Sequence, residues 1–418
     1  MGETLTGTAG RDIFYGGLGS DFLRGFDDQD IAAYRDSAVG VSVNLFSNTA
    51  HFGTAAGDTF ESIEGVFGSR HNDTLIGDDD ANFLRGKLGN DRLEGGGGDD
   101  RLEGGTGNDE LLGGHGSDRL NGGLGHDILN GGDGIDTAVY RDATSGAAIN
   151  TRNGQMLGSA QGDTLIDIEN LVGTNFGDSL ITGDGNNKLF GLDGNDFLDG
   201  GSGDDTLEGG AGGDFLHGSV GIDTASYRSS DAAVNVNLGA FSGSGGHAEG
   251  DTLSWINNVL GSQFGDTLTG DILENRLRGK EGDDTLSGGE GRDTLIGDEG
   301  ADSFIFTQRS DHASNTTSGN QISRYAGSTH DMIKDFTPGE DLLVFDSSEF
   351  TGDVFVTNQI SDLNLADATA SAFALFGSHL FYLRYASPDD FANGVTELTH
   401  LAKLNGISTL TSDDFLFI

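Results

Sequence analysis

Along most of the chain a single apolar residue returns every nine positions, set in polar and glycine-rich sequence. In the cleanest stretch these residues are Leu93, Leu102, Leu111, Leu120, Leu129 and Ala138. Each stands two positions after an aspartate: Asp91, Asp100, Asp109, Asp118, Asp127 and Asp136. The spacing predicts six turn residues followed by a three-residue strand, so that two units make one coil of a solenoid. One apolar side chain per strand fills a thin core, and glycines supply the positive φ values and close backbone approach that tight turns require. The expected fold class is all-β: a right-handed parallel β-roll in several blocks.

Written out, the unit is G-G-x-G-x-D-x-U-x, as in Gly104-Gly105-Thr106-Gly107-Asn108-Asp109-Glu110-Leu111-Leu112. The aspartate is expected to end the turn and point outward, toward the same residue one coil away. That pairs Asp91 with Asp109, Asp100 with Asp118, Asp109 with Asp127, and Asp118 with Asp136. Two carboxylates and exposed turn carbonyls make an all-oxygen cage, which suits calcium better than magnesium or zinc. The carboxylate ligands expected are Asp12, Asp21, Asp30, Asp73, Asp91, Asp100, Asp109, Asp118, Asp127, Asp136, Asp178, Asp196, Asp205, Asp214, Asp223, Asp266, Asp284, Asp293 and Asp302. The turn glycines expected to offer carbonyls are Gly96, Gly98, Gly105, Gly107, Gly114, Gly116, Gly123, Gly125, Gly132, Gly134, Gly201, Gly203, Gly210, Gly212, Gly289 and Gly291. The nonapeptide resembles the repeat of the RTX (haemolysin-type) calcium-binding proteins, over roughly three quarters of the chain.

The repeats fall into four blocks, at 1–36, 73–141, 178–228 and 266–302, separated by inserts at 37–72, 142–177 and 229–265. In the last three blocks the second ladder position is Asn82, Asn187 or Asn275, a neutral and weaker ligand. The first coils of those blocks are therefore expected to be poor sites or structural ones. The first block ends in an imperfect turn, Gly25-Phe26-Asp27-Asp28-Gln29, ahead of Asp30. Three blocks close on similar words, Ala33-Tyr34-Arg35, Val139-Tyr140-Arg141 and Ser226-Tyr227-Arg228. Alternating apolar residues follow (Val41, Val43, Leu45; Val234, Val236, Leu238) and predict strands. A Gly-Asp-Thr word at Asp58, Asp163 and Asp251 then precedes Ile63-Glu64, Ile168-Glu169 and Ile256-Asn257. This constant spacing predicts wider β-coils that continue the solenoid. The tyrosines are read as packing at the junctions in preference to a binding surface.

From Ser303 the nine-residue period stops. Gly300–Phe306 and His330–Phe345 resemble the start of the C-terminal cap of secreted RTX proteins, including the serralysin proteases. Residues 303–418 are accordingly expected to form a β-rich cap, which would cover an aggregation-prone solenoid end. Leu401–Ile407 and Leu410–Ile418 resemble the uncleaved C-terminal signal read by type I secretion systems, and a last cap strand is compatible with that reading. The resemblance implies a chain that stays unfolded where calcium is scarce and folds outside the cell.

The formal net charge of −46 and the 72 glycines agree with a chain that needs cations to fold. Acidity on this scale disfavours partnership with nucleic acid or bare anionic membrane. Cysteine is absent, which removes disulfides and thiol catalysis. The N-terminus lacks a classical signal peptide, and no run is apolar enough to span a membrane. Catalytic words are missing as well: there is no His-Glu-x-x-His, Gly-x-Ser-x-Gly or Asp-Pro-His-Glu. His115, His126 and His217 are read as solvated loop residues, and Asp99-Asp100 and Asp204-Asp205 as parts of turns rather than acid–base pairs. The expected function is that of a secreted calcium-binding RTX protein of a Gram-negative bacterium. It would act as an extracellular binding, matrix or adhesion component, with the type I machinery and surface polysaccharide as partners. The alternative is the C-terminal export and stabilisation region of a larger secreted enzyme or toxin.

Overall fold

The computed structural model describes residues 2–306 throughout and, beyond them, 314–318, 331–333, 335, 341–345, 372–376, 379–384, 395–404 and 415–417. Two units divide the chain, Met1–Asp205 and Thr206–Ile418. In the first, the repeat coils give one short strand to each of two faces. On one face Phe83–Leu88, Arg101–Thr106, Arg119–Leu124 and Thr137–Val139 pair in parallel, with Leu84, Leu102, Leu120 and Ala138 in register. On the other, Thr74–Ile76, Arg92–Gly97, Glu110–His115 and Ile128–Asp133 pair through Leu75, Leu93, Leu111 and Leu129. These eight side chains are all 0% exposed, which makes the nine-residue apolar period the core itself. The architecture is the expected parallel β-roll.

The inserts are more elaborate than widened coils. One face runs through them unbroken: Ile31–Ala33 pairs with Gly65–Phe67, which pairs with Phe83–Leu88. The other face is interrupted. Thr59–Glu61 closes the first stack on Phe22–Arg24, and Ser42–Asn44 opens the next beside Thr74–Ile76. Ser42–Asn44 also forms an antiparallel hairpin with Thr49–His51. The second insert repeats this plan, with Thr164–Ile166 closing, Ala147–Asn150 opening, Gln155–Gly158 returning and Asn170–Val172 running through. The return strand escaped the sequence reading because only one of its residues, Ala50 in Thr49–His51, is buried. One apolar position makes no alternation.

The second unit is built the same way. Thr206–Ala211, Thr224–Ser226, Asn258–Leu260, Arg276–Glu281 and Thr294–Glu299 form one parallel face. Asn235–Asn237, Thr267–Thr269, Thr285–Ser287, Ser303–Phe306, Leu342–Phe345 and Phe415–Phe417 form a second run, with Ser242–Ser244 as the hairpin return. In the cap Val395–Leu404 lies antiparallel to His379–Arg384 and Ser314–Ser318 and parallel to Asp331–Ile333. The last strand, Phe415–Phe417, is thus part of the cap. The rest of the proposed secretion signal, residues 405–414 and 418, lies outside the described residues, as do most of 307–330. Among the described residues no helix is long and apolar enough to cross a membrane.

Because each coil holds only two core side chains, each should matter as much as a core residue of a larger domain. Replacing Leu111, 0% exposed, by alanine should cost about 2–5 kcal/mol in chemical denaturation of the calcium-loaded chain. The same change at the exposed Ile135 should stay within roughly 0.5 kcal/mol. Equal losses at the two positions would mean that the apolar period is not the core.

Candidate metal centre: carboxylates between coils

The periodic aspartates do not point outward. Asp91, Asp100, Asp109, Asp118, Asp127 and Asp136 are at most 3% exposed. Each side chain reaches along the stack, and its Oδ1 accepts the backbone N–H of the residue eighteen positions earlier in the same row. Asp73 donates to Asp91 (2.8 Å), Asp91 to Asp109 (2.7 Å) and Asp109 to Asp127 (2.9 Å). On the other face Asn82 donates to Asp100 (2.7 Å), Asp100 to Asp118 (2.8 Å) and Asp118 to Asp136 (2.7 Å). The aspartate turns inward because the turn one coil earlier leaves its ladder partner's N–H without a strand partner, and a buried N–H must find an acceptor. The pairing expected from the spacing is present, but through a peptide N–H rather than between two carboxylates.

The second oxygen is different. Oδ2 of Asp21, Asp30, Asp91, Asp100, Asp109, Asp118, Asp127, Asp136 and Asp284 is buried with no hydrogen-bond partner. In the interior turns it lies over the first glycine of the same nonapeptide. A Cβ on Gly104 would stand 2.4 Å from Asp109 Oδ2 and 2.7 Å from the Gly122 carbonyl oxygen; on Gly113 it would stand 2.1 Å from Asp118 Oδ2 and 2.5 Å from the Gly131 oxygen. Glycine is needed there for space. At Gly105 and Gly107, by contrast, φ is +114° and +127°, so those two set the turn. Where glycine is missing the turn keeps its shape, as Phe26 and Asp28 do at φ 122° and 66° before Asp30.

Two oxygens that converge without a donor repel unless a cation or a proton lies among them. Burial, the largest cause, pushes Asp91 up to about 7, Asp100 to about 8, Asp109 to about 6 and Asp136 to about 6. The peptide N–H of the previous coil pulls each the other way, and neighbouring carboxylates push all four further up. Asp284 in the second unit is raised to about 8 for the same reasons. Among the described residues no three His, Cys, Asp or Glu side chains gather as a metal cluster. A cation here would therefore rest on one or two carboxylates and on main-chain oxygens, a hard donor set that fits calcium.

The open oxygens begin after each block's first aspartate and, in the first two blocks, run to the last, Asp30 and Asp136. Each block's first aspartate is closed by a hydroxyl residue four positions earlier, which the sequence reading overlooked. Ser69 N–H and Oγ bind Asp73 (2.6 and 2.8 Å), Thr174 binds Asp178 (2.6 and 2.9 Å) and Ser262 binds Asp266 (2.6 and 2.8 Å). Thr8 does the same for the half-buried Asp12 (2.6 and 2.9 Å). Two of the asparagines that follow use their carbonyl oxygens locally: Asn82 accepts from Asp78 N–H and Asn275 from Asp271 N–H, both at 2.7 Å. Asn187 instead leaves its carbonyl oxygen buried without a partner, while its amide donates to the Glu169 carbonyl at 2.7 Å. At the far ends the insert words take over. Asp58, Asp163 and Asp251 accept the N–H of Asp21, Asp127 and Asp214. Their other oxygens receive the phenols of Tyr34, Tyr140 and Tyr227 at 3.1, 3.1 and 2.9 Å. Glu64, Glu169 and Asn257 finish the opposite rows on Asp30, Asp136 and Asp223. The tyrosines are buried packing, as expected. In the cap Asp341 accepts from Asp302 N–H at 2.9 Å.

The remaining candidates divide. Asp99 is exposed and accepts Ser117 N–H, while Asp100 is buried, so the two do not form an acid–base pair. Asn72, Asn90 and Asn108 use the position before the aspartate in the same way, accepting from Asn90, Asn108 and His126. His115 is exposed beside Asp133. His217 departs from the expectation of a solvated loop: it lies in the strand Phe215–Val220, stacks on Phe215 and has a buried Nδ1. Alternation along that strand sets it next to the core residue Leu216, on the opposite side of the sheet.

The carboxylate geometry makes the fold depend on pH. Aspartates raised above the unfolded value of about 3.9 disfavour the ion-free fold at high pH, and that penalty disappears as pH falls from about 8 to about 4. In chelator the β signal should therefore be larger at pH 5 than at pH 8, whereas the calcium midpoint should rise as pH falls from 8 to 6 because the ion displaces these protons. A pH-independent midpoint would contradict the geometry. Asp109→Asn keeps an acceptor for Asp91 N–H but removes the charge. It should raise the calcium midpoint severalfold and lower the stoichiometry in a calorimetric titration. An unchanged isotherm would exclude Asp109 as a ligand.

The chain matches the family model of the RTX calcium-binding nonapeptide repeat (four copies) at residues 2–32, 67–102, 103–138, 172–207, 190–225 and 269–304. No curated protein matches it. Among solved structures it is similar to the AlgE6R2 subunit of the mannuronan C5-epimerase of Azotobacter vinelandii, at 26% identity over 38% of this chain and 91% of that one, with a TM-score of 0.23. The AlgE6R3 subunit of that epimerase is 24% identical over 37% of this chain and 78% of that one (TM-score 0.20). The extracellular lipase LipA of Serratia marcescens is 17% identical over 83% of this chain and 40% of that one (TM-score 0.17). RTX repeats bind calcium and are characteristic of secreted proteins. The matched segments fall in all four blocks, and the chain is an RTX calcium-binding nonapeptide-repeat protein.

Proposed function

We propose that this protein folds on calcium after export through a type I system of a Gram-negative bacterium and then serves as an extracellular binding, matrix or adhesion component with surface polysaccharide as its partner. The observation that carries the calcium-gated part is the row of buried, unpartnered Oδ2 atoms from Asp91 to Asp136. Ligands in this reading are the interior aspartates of each block, with the main-chain oxygens around the turn glycines. The block-opening Asp12, Asp73, Asp178 and Asp266 hold the fold instead, since Ser or Thr already occupies them. Support for a binding role comes from the inserts. Phe46 and Phe52 of the first and Phe241 and Trp255 of the third are 59–70% exposed. Exposed aromatic rings on a fold that repeats a strand at each coil suit an extended polymer of flat units.

Deleting residues 401–418 should abolish export by a type I system while the repeats still bind calcium; normal secretion of the truncated chain would place the signal elsewhere. A panel of extracellular glycans presented to the calcium-loaded chain should give binding without turnover. Release of product from any of them would replace the binding reading by an enzymatic one.

A further inference from the structure

We infer that the outer face of the second block in the first unit binds an acidic polysaccharide, one that carries carboxylates on its sugar rings. This rests on the glycan-binding reading above and gives it a site and a chemical class. The chain has a net charge of −46 and only 22 Lys and Arg residues. Six of these, Arg35, Arg85, Lys87, Arg101, Arg119 and Arg141, nevertheless share this face. Strand register sets Phe83, Arg101 and Arg119 side by side in one row and Arg85, Glu103 and Asn121 in the next. Neighbouring strands of a sheet recur about every 4.8 Å. Lys87 is lowered by burial and then by Arg85 and Arg35, and Arg119 by burial and then by Arg141 and Arg101, so like charges are held together.

Compensation on this face is thin. Glu103 pairs with both Arg85 (3.2 Å) and Arg101 (2.5 Å) and Arg35 with its neighbour Asp36 (3.8 Å), while Lys87, Arg119 and Arg141 make no ion pair among the described residues. On the opposite face Arg92 is held by Glu94 (3.1 Å) and Glu110 (2.5 Å), so an unpaired cation is not the rule of this fold. Rings fix the cations in place: Arg101 lies over Phe83 at 4.8 Å and Lys87 over Phe67 at 5.7 Å, and the two rings meet edge to face at 5.2 Å. Beside them runs a groove of about 290 Å³ between Lys87 and the Tyr140–Ala143 segment. Gly105 and Gly123 keep its floor flat, and the carboxylates of Glu103 and Asp142 border it. Asn121 and Thr106 also line it, with the Asn121 amide donating to Asp142 Oδ2 at 3.3 Å and the Thr106 hydroxyl to the Lys87 carbonyl at 3.4 Å.

Arginine forks match carboxylates in a bidentate manner, and the acceptor oxygens of Asn121 and Thr106, with the bare floor, suit sugar hydroxyls. A nucleic acid fits less well, because its dense phosphates would meet the acidic remainder of the chain. The test uses the calcium-loaded full chain and short oligogalacturonates, with neutral oligoglucans and single-stranded DNA as comparison ligands. Oligouronate binding should weaken with salt. It should fall by at least about tenfold in Arg101→Ser/Arg119→Ser, the size of one good ionic contact, and stay unchanged in Arg92→Ser. The calcium midpoint by circular dichroism should remain that of the parent, and Lys87→Gln, which leaves both arginines, gives a second reading should the double variant fail to fold. Oligouronate affinity unchanged in both variants, or DNA bound as tightly, would overturn the site. Binding of neutral glycan alone would overturn this inference and leave the glycan-binding reading standing, whereas binding of no glycan would overturn both.

Discussion

Each interior nonapeptide buries a carboxylate and satisfies only one of its oxygens. The ordinary reward for burial in that unit is a single leucine, roughly 1.5–3 kcal/mol. An uncompensated buried charge costs several kcal/mol, so the leucine does not offset it. The fold, with Asp109 Oδ2 facing the Gly122 oxygen over Gly104, needs a positive charge or a proton at every interior turn. In the function proposed above, stability and ion binding are one equilibrium. The aspartate is a structural acceptor through Oδ1, and in the proposed function a ligand group through Oδ2.

The same constraint explains why the chain is cut into blocks. A row of open carboxylates has to begin and end somewhere, and in the second and third blocks one row is closed at both ends. At the start Ser69, Thr174 and Ser262 supply an N–H and a hydroxyl; at the finish Tyr34, Tyr140 and Tyr227 supply a phenol. These closures need no ion. Each insert also stops one strand stack and starts another with an antiparallel hairpin, while the opposite face runs on. Ion-free brackets around ion-dependent interiors therefore follow from hydrogen-bond accounting at the row ends.

Much of this could be read from residues alone. The nine-residue leucine period gave the strands and the parallel stacking, because one buried residue per strand leaves no other register. The eighteen-residue aspartate pairing was likewise visible. Direction was not: whether Asp109 faces solvent or the previous coil depends on which peptide N–H the turn leaves unpaired, and no spacing records that. The closures at Ser69 and Thr174 were equally hidden, since a hydroxyl four residues before an aspartate is common in loops and acquires meaning only when both oxygens are counted. Tyr140 was correctly assigned to packing, but its partner Asp163 lies 23 residues away across a hairpin. His217 was misplaced because a histidine next to glycines resembles a loop, although alternation in Phe215–Val220 sets it in a strand.

In the function proposed above, the carboxylate rows govern whether the chain folds. The most direct measurement of that dependence is far-UV circular dichroism during a calcium titration, with magnesium as the control ion. A cooperative gain of β signal with calcium, and little with magnesium, is the predicted result. A chain with the same β signal in chelator as in calcium at neutral pH would show that the buried Oδ2 atoms need no cation, and would contradict the account.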